Sequence, residues 1–304
     1  MSTHKKIDLI CVVVILVGLL ITVLFMNGEA LGMTVMYDQD TEAHEDTEFF
    51  SAKDLNPDWD VSAATYIKCM GSYAIISGSG AYVYDGNVYI TGGGYYYITG
   101  ELTDGSIIVD AHKNSKVWVM LDGVNVYASD TAAFQVLQAD KVFLTLAEGS
   151  ENVLASGGEF SSEAEEAGIN AVIYAKDDLT INGYGTLTVN GGVKHGIKAN
   201  DDLVITGGNI SITVPGDGIH VNDSVRITEA TITIEAGDDG IDQDEEDGYL
   251  YVASGTITID CEDDAVNIAG LLVVDGGTIT PDISAGAITS EEMPRLTEEA
   301  TTKE

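Results

Sequence analysis

Carboxylates recur at fixed points of a short repeat in the second half of the chain, and their spacing suits the binding of a cation. Three copies of the repeat read GIKANDDLVITGGNISITVPGD from Gly196, GIHVNDSVRITEATITIEAGDD from Gly218 and GIDQDEEDGYLYVASGTITIDCEDD from Gly240. The reference column is Ile173, Ile197, Ile219, Ile241 and Val266, at steps of 24, 22, 22 and 25 residues. Two places before it stand His195, Asp217, Asp239 and Asp264; one place after it stand Tyr174, Lys198, His220, Asp242 and Asn267. If each repeat is one coil, equivalent side chains of adjacent coils stand one strand spacing apart, roughly 4.8 Å. Asp217, Asp238, Asp239 and Asp242 then converge on one point, and Asp239, Asp263, Asp264 and Asn267 on another one coil further on.

Carboxylates stacked at that spacing repel unless they are protonated or neutralised. Calcium is the natural neutraliser, a hard cation taking about 6–8 oxygen ligands at about 2.3–2.6 Å in flexible geometry; magnesium asks for a tighter octahedron. Asp-Gly also makes turns, and one such pair per coil requires nothing more. A doubled Asp-Asp with Asp or Asn three residues later, found twice, exceeds what a turn needs. EF-hand and calcium-nonapeptide spacings are absent. A second acidic cluster, Asp177, Asp178, Asp201, Asp202 and Asp223, lies four and five places after the reference column and is continued by Glu245 and Glu246. Turn formation and solvation account for that cluster as well as a metal does.

The elements that must position these side chains are short strands joined by Gly/Asp turns. KVWVML from Lys116 recurs as KVFLTL from Lys141, and Ile205, Ile227 and Val252 form a further apolar column, each 14 residues before the next coil's reference residue. Apolar columns at a fixed short period, with insertions such as EEDG absorbed in the turns, predict an all-β parallel β-helix of about 22–25 residues per coil. A β-propeller repeat is about twice as long, and an antiparallel sandwich would not keep this register. The irregular first coils, near residues 61–97, are expected to cap the open end.

The chain has 304 residues, 45% of them hydrophobic, and carries 50 acidic against 13 basic residues for a net charge of −37. That charge excludes nucleic acid, whose phosphates need Lys and Arg, and disfavours an anionic membrane surface. Residues 9–26 hold no charge and follow His4, Lys5 and Lys6. This predicts one amino-terminal transmembrane helix that keeps the amino end inside and exports the rest, with a cleaved export signal as the rival reading. The expected organisation is therefore residues 1–32 as stub and anchor, 33–60 as an acidic linker, 61–286 as the β-helix and 287–304 as an acidic unstructured tail, with the β-helix extracellular, anchored or secreted. Of the three cysteines, Cys69 and Cys261 could pair only if the fold brought them together; Cys261 falls in a column with Val214 and Ala236 and reads as a small buried side chain. The sequence leaves the oligomeric state open.

Several stretches resemble a known family. AVIYAKDDLTINGYGTLTVNG from Ala171, HGIKANDDLVITGGNISIT from His195, the GDGI and GDDGID strings that follow, LDGVNV from Leu121 and LAEGSENVL from Leu146 are similar to extracellular bacterial carbohydrate-binding β-helix proteins. The resemblance spans roughly residues 61–280. It implies a right-handed parallel β-helix related to family-nine pectate lyases, calcium binding, and a partner in cellulose or acidic plant sugars such as polygalacturonate. The related lyases hold calcium with an aspartate of one coil and D-D-x-x-D of the next, a pattern matched here by Asp217 with Asp238, Asp239 and Asp242. They also use a lysine as base, and Lys198 is the best-placed candidate.

The residues favour binding over catalysis. A lysine base must be neutral at working pH, and carboxylates around Lys198 are expected to raise its pKa. Basic residues to grip a polyuronate are scarce in the repeats: Lys176, Lys194, Lys198 and Arg226 are nearly all there is. The expectation is a calcium-binding module for polysaccharide, with Lys198, His220, Tyr249 and Tyr251 as sugar contacts, the tyrosines by stacking. The first alternative is a calcium-dependent lyase acting by β-elimination with Lys198 as base. The second is a cell-surface adhesion or scaffold protein.

Overall fold

The inward columns read from the sequence become the ladders of a parallel β-solenoid of about eight turns, with little helix. The computed structural model describes Thr47, residues 49–281 and, beyond these, 288–290, 295–296 and 300–302. The apolar segment 9–26, expected to span a membrane, lies outside the described residues; among those described, no helix is long and apolar enough to cross one.

Strict alternation sets which side chains face in. In the strands Thr231–Ala236 and Thr256–Cys261 every second residue is buried, and the two pair in parallel with Ile232 opposite Ile257 and Ile234 opposite Ile259. The same ladder continues upward through Ile210 and Ile212. Cys261 stands opposite Ala236, which stands opposite Val214, as the sequence column predicts. The reference column is a true ladder too: Ile173, Ile197, Ile219, Ile241, Val266 and Ile288 are paired in register, and Ile181, Ile205, Ile227, Val252 and Val274 make another. These aliphatic side chains fill one continuous core running the length of the coils.

Each coil has three strand faces. The reference ladder lies on the first, a 10-stranded sheet that opens with the antiparallel hairpin of Ala81–Tyr84 and Asn87–Ile90. The second and third faces share a 16-stranded sheet, since long strands such as Leu179–Asn190 and Leu203–Val214 bend from one face onto the next. The bend falls at Gly183 and Gly207, both with positive φ, and an ideal Cβ on Gly207 would lie 2.6 Å from the Gly183 carbonyl oxygen of the coil above. A side chain at that corner would force the coils apart. The hairpin Thr65–Gly71 with Ala74–Ser77 closes the amino-terminal end of the large sheet by antiparallel pairing.

Two regions depart from the sequence reading. Within the segment expected to be an acidic linker, residues 49–56 lie against the second face as a strap. Ser51 and Asp54 form a capping box on the short helix Ala52–Leu55, Phe50 is buried, and Asp54 Oδ1 meets Lys141 Nζ at 2.8 Å. Within the segment expected to be an unstructured tail, Ile288–Ser290, Arg295–Leu296 and Ala300–Thr302 extend the three faces by one more coil. Cys69 and Cys261 are free, buried thiols; Cys69 belongs to the first coil and Cys261 to a late one, and burial pushes the Cys69 thiol up to about 11.

Candidate functional site

The junction from the third face into the first carries the polar wall, and packing explains why its motif is Asp-Gly-Ile. Gly196, Gly218 and Gly240 sit where a Cβ would meet an isoleucine of the core: on Gly218 it would lie 2.3 Å from Ile234 Cγ2 and 2.7 Å from the Gly240 carbonyl oxygen. The glycine is demanded by close approach of the chain to its own core. That leaves the preceding aspartate free to serve another purpose. Asp217 Oδ1 accepts from the Asp239 backbone N–H at 3.1 Å, and Asp239 Oδ1 accepts from that of Asp264 at 2.8 Å. One oxygen of each aspartate thus ties one coil to the next, and the second oxygen faces outward along the wall.

The outward oxygens fall into two groups. In the first, His195 Nδ1 and His220 Nδ1 each lie 2.9 Å from Asp217 Oδ2, and His220 Nδ1 also lies 2.9 Å from Asp242 Oδ2. The two imidazoles are stacked, with centroids 4.5 Å apart. His220 Nε2 faces Asp244 Oδ2 at 3.3 Å. Burial opposes the charged form of His220, but Asp217 and Asp242 outweigh it and push its pKa up to about 9. Burial likewise works against the Asp217 carboxylate, and its contacts with His195 and His220 more than offset that, holding it well below the usual carboxylate range.

The second group is all oxygen. Asp238, Asp239 and Asp263 bring carboxylate oxygens within 4.8 Å of one another, with Asp238 and Asp263 exposed. Desolvation and then the neighbouring charges of Asp217 and Asp263 raise the Asp238 pKa; Asp239 is also raised, chiefly by desolvation. Asn267 Nδ2 donates to Asp239 Oδ2 at 3.0 Å and to Asp242 Oδ1 at 3.1 Å, partly offsetting charge between the groups. Beside Asp242 and Asn267 an open depression of about 370 Å³ extends past Asp244, Gln243 and Thr289. Gln243 floors it, buried and holding the Asn222 and Glu245 carbonyls through its amide.

The sequence-derived sets are therefore regrouped. Of the four aspartates expected to share one point, Asp217 and Asp242 turn to the histidines, while Asp238 and Asp239 join Asp263. Asp264 contributes its backbone N–H to the ladder. Lys198 stands in the wall column directly between Tyr174 and His220. Its pKa is lowered, contrary to expectation: desolvation of the ammonium outweighs the raising influence of Asp244, Asp217 and Asp242. Tyr249 and Tyr251 are not at the wall. They lie on the second face beneath the strap, where Phe49 stacks on Tyr251 at 3.8 Å and meets Tyr249 edge-on at 6.0 Å. Their role there is to seat the strap.

The second acidic cluster does turn and pairing work. Asp177 Oδ2 accepts from the Ala139 N–H at 2.8 Å, and Asp202 Oδ2 pairs with Arg226 Nη2 at 2.5 Å. Asp178, Asp201 and Asp223 all have raised pKa values, chiefly by desolvation; neighbouring aspartates add to it, and at Asp178 the charge of Lys141 works against it. His195 went unassigned in the sequence reading although it occupies the same column as Asp217. Its signal was that column position; its meaning came only with the ring of His220 beside it.

Residues 84–303 match the model of a family described as carbohydrate-binding domain-containing protein. A carbohydrate-binding domain-containing protein of Acetivibrio thermocellus is 40% identical over 134 residues, 44% of this chain and 47% of that one. The chain thus spans about half the length of the curated relative it matches. A solved structure described as the polysaccharide lyase-like protein from C. thermocellum, gadolinium derivative, superposes with a TM-score of 0.75 at 32% identity, covering 79% of this chain and 99% of its own.

Proposed function

This chain belongs to the carbohydrate-binding domain-containing family, and from that premise we propose that it is a calcium-dependent polysaccharide-binding module displayed at the cell surface. The observation that carries the reading is the oxygen-only group of Asp238, Asp239 and Asp263, which Asn267 links, through its hydrogen bond to Asp239, to the open depression that it lines with Asp242 and Thr289. Two exposed carboxylates and one buried one brought this close together fit a hard cation with room left for further oxygen ligands. Asp264 and Asn267 border that position, and Asp217 and Asp242 complete the wall. When bound, calcium would supply positive charge to a negatively charged surface and so allow a sugar carboxylate or hydroxyl to approach.

Lys198 and His220 flank the depression from the coils above and are the side chains to orient a sugar. Cellulose and acidic plant sugars such as polygalacturonate are the partners that fit. Export across a membrane by residues 9–26 would present the module outside the cell.

A second reading is favoured by one observation, the lowered pKa of Lys198. A partly desolvated lysine in the same column as His220 and Asp242 is the kind of base that abstraction of a proton next to a uronate carboxylate requires, which makes β-elimination the alternative. The test is incubation of the full-length protein with polygalacturonate and with cellulose, with and without calcium. Retention and ultraviolet absorbance from unsaturated product are recorded together. Calcium-dependent retention without product supports the binding module. Product formation that disappears in Lys198→Ala replaces it with a lyase.

A further inference from the structure

The rings expected at the wall, Tyr249 and Tyr251, lie under the strap, but exposed rings stand at the other end of the first face. The hairpin of Ala81–Tyr84 and Asn87–Ile90 turns on Asp85 and Gly86, whose φ angles of 50° and 80° suit a tight type I′ turn. Alternation sends Val88 and Ile90 into the core and Tyr82, Tyr84 and Tyr89 outward. Tyr82 and Tyr89 stand opposite each other and stack at 4.9 Å with their planes 6° apart. Ala81–Tyr84 is the last strand of its sheet, so among the described residues no strand covers the far side of Tyr82. Tyr82 is 49% and Tyr84 69% exposed. An edge strand that needs only to resist pairing carries charge or proline; this one carries neither, Asp85 lying in the turn. Around it the chain also abandons its acidity: residues 61–100 hold one lysine, one aspartate and eight of the 14 tyrosines, in a protein of net charge −37.

We infer that Tyr82, Tyr84 and Tyr89 form a second carbohydrate-binding surface, which takes an uncharged β-linked glucan by ring stacking and needs no cation. A sugar ring with equatorial hydroxyls presents a flat C–H face, and a tyrosine ring can cover that face while its own hydroxyl stays wet. Tyrosine gives a large, rigid contact area with only two torsions to fix. The tight turn and the stack of Tyr82 on Tyr89 set the rings before a ligand arrives, which lowers the cost of binding. Without net charge nearby, an uncharged polymer meets no carboxylates that an ion must first neutralise. The surface lies on the outward column of the wall: Tyr89 is followed coil by coil by Ile108, Gln135, Tyr174 and Lys198. Four strand spacings, roughly 19 Å, separate Tyr89 from Lys198. Ile108, Gln135 and Tyr174 between them are buried; Gln135 is held by Thr131 and Ala132, and Tyr174 clusters with Phe160 and Ile169. The covered stretch keeps the two surfaces apart. A second copy pairing along the open edge would use backbone groups and would not call for tyrosines pointing off the face of the sheet. The inference rests on the proposed carbohydrate-binding role, but it moves the uncharged polymer away from the carboxylates.

The experiment uses the full-length protein with cellulose and with polygalacturonate, each in calcium and in chelator. Wild type is expected to hold cellulose equally in both conditions. The double variant Tyr82→Ala, Tyr84→Ala should weaken retention on cellulose about 10-fold or more, through the lost stacking contacts, and leave calcium-dependent retention on polygalacturonate unchanged. The double variant Tyr82→Phe, Tyr84→Phe keeps both rings and should stay within about 2-fold of wild type on cellulose. Retention on cellulose that disappears in chelator overturns the inference. So does retention unchanged in the alanine variant, folded by its far-ultraviolet spectrum, or a phenylalanine variant that loses as much as the alanine one. A concentration-dependent dimer that the alanine variant abolishes, with no retention of wild type on cellulose, assigns the hairpin to a second copy instead. Cellulose held in chelator with polygalacturonate never held would keep this surface and refute the calcium wall. Polygalacturonate held in calcium with cellulose never held would refute this surface alone.

Discussion

Replacing Lys141 with methionine isolates what holds the strap of residues 49–56 on the solenoid. Lys141 Nζ lies 2.8 Å from Asp54 Oδ1, and the two side chains are 11% and 4% exposed. Asp54 is also the acceptor for Thr180 Oγ1 at 2.6 Å and for the Ser51 N–H and hydroxyl at 2.9 and 2.7 Å. Those bonds remain in Lys141→Met, but the buried carboxylate loses its counter-charge. Removing one partner of a buried pair costs about 3–5 kcal/mol, equivalent to roughly a hundred- to a few-thousand-fold increase in the undocked population, since about 1.4 kcal/mol is a factor of ten. The strap can leave while the coils stay paired, so the loss should appear as local opening with little change in the main melting transition. The assay is native-state hydrogen exchange at the Asp54 and Leu55 amides, both bonded to the Ser51 carbonyl. The pH dependence gives a second readout. In the native protein burial raises the Asp54 pKa, but Lys141 and the hydrogen bonds lower it by more. A depressed carboxyl contributes stability above the ordinary value of 3.8, and this is lost as pH falls through the lowered folded value. In Lys141→Met burial prevails and the sign reverses: docking should strengthen as pH falls. Unchanged exchange at Asp54 and Leu55 in the variant, or a variant strap that loosens on acidification, would refute the assignment of the strap's stability to this pair.

Four further outcomes follow from the same geometry. Chelation should lower the melting temperature of wild type by several degrees, and Asp263→Asn should shrink that difference, because removing one carboxylate relieves the repulsion an ion would otherwise screen. Gly218→Ala should cost about 1–3 kcal/mol through overpacking, the new Cβ falling 2.3 Å from Ile234 Cγ2; denaturant titration measures it, and a cost below about 0.5 kcal/mol would deny the close approach. Ile219→Ala, in the middle of the fully buried reference ladder, should cost about 2–5 kcal/mol by the same titration. Cys69 and Cys261 should resist thiol reagents in the native state and react on unfolding, and a reductant should leave the melting temperature unchanged, because both are buried and unpaired.

The period of the chain determines the solenoid. A parallel ladder places equivalent residues of successive coils side by side, so a column in the sequence is a column in space; Ile197, Ile219 and Ile241 follow this rule, as do Lys198, His220 and Asp242. The wall was legible for that reason. Which of its carboxylates meet was not, because a column fixes a residue's coil and face but not the direction of its terminal oxygens. Those are set by bonds such as Asp239 N–H to Asp217 Oδ1 and Asn267 to Asp239 and Asp242, which split the expected cluster in two. Lys198 shows the same limit for charge: the sequence counts the carboxylates around it, whereas burial, which a sequence does not display, decides its pKa. The strap escaped the periodic reading altogether. Phe49, Phe50 and Asp54 have no repeat partner, and they find Tyr251, Lys141 and Thr180 at sequence separations of 87 to 202 residues only because the coils have already brought those residues onto one face. Repetition in the chain specified the scaffold; contacts between non-equivalent residues, which depend on three-dimensional packing, specified the site.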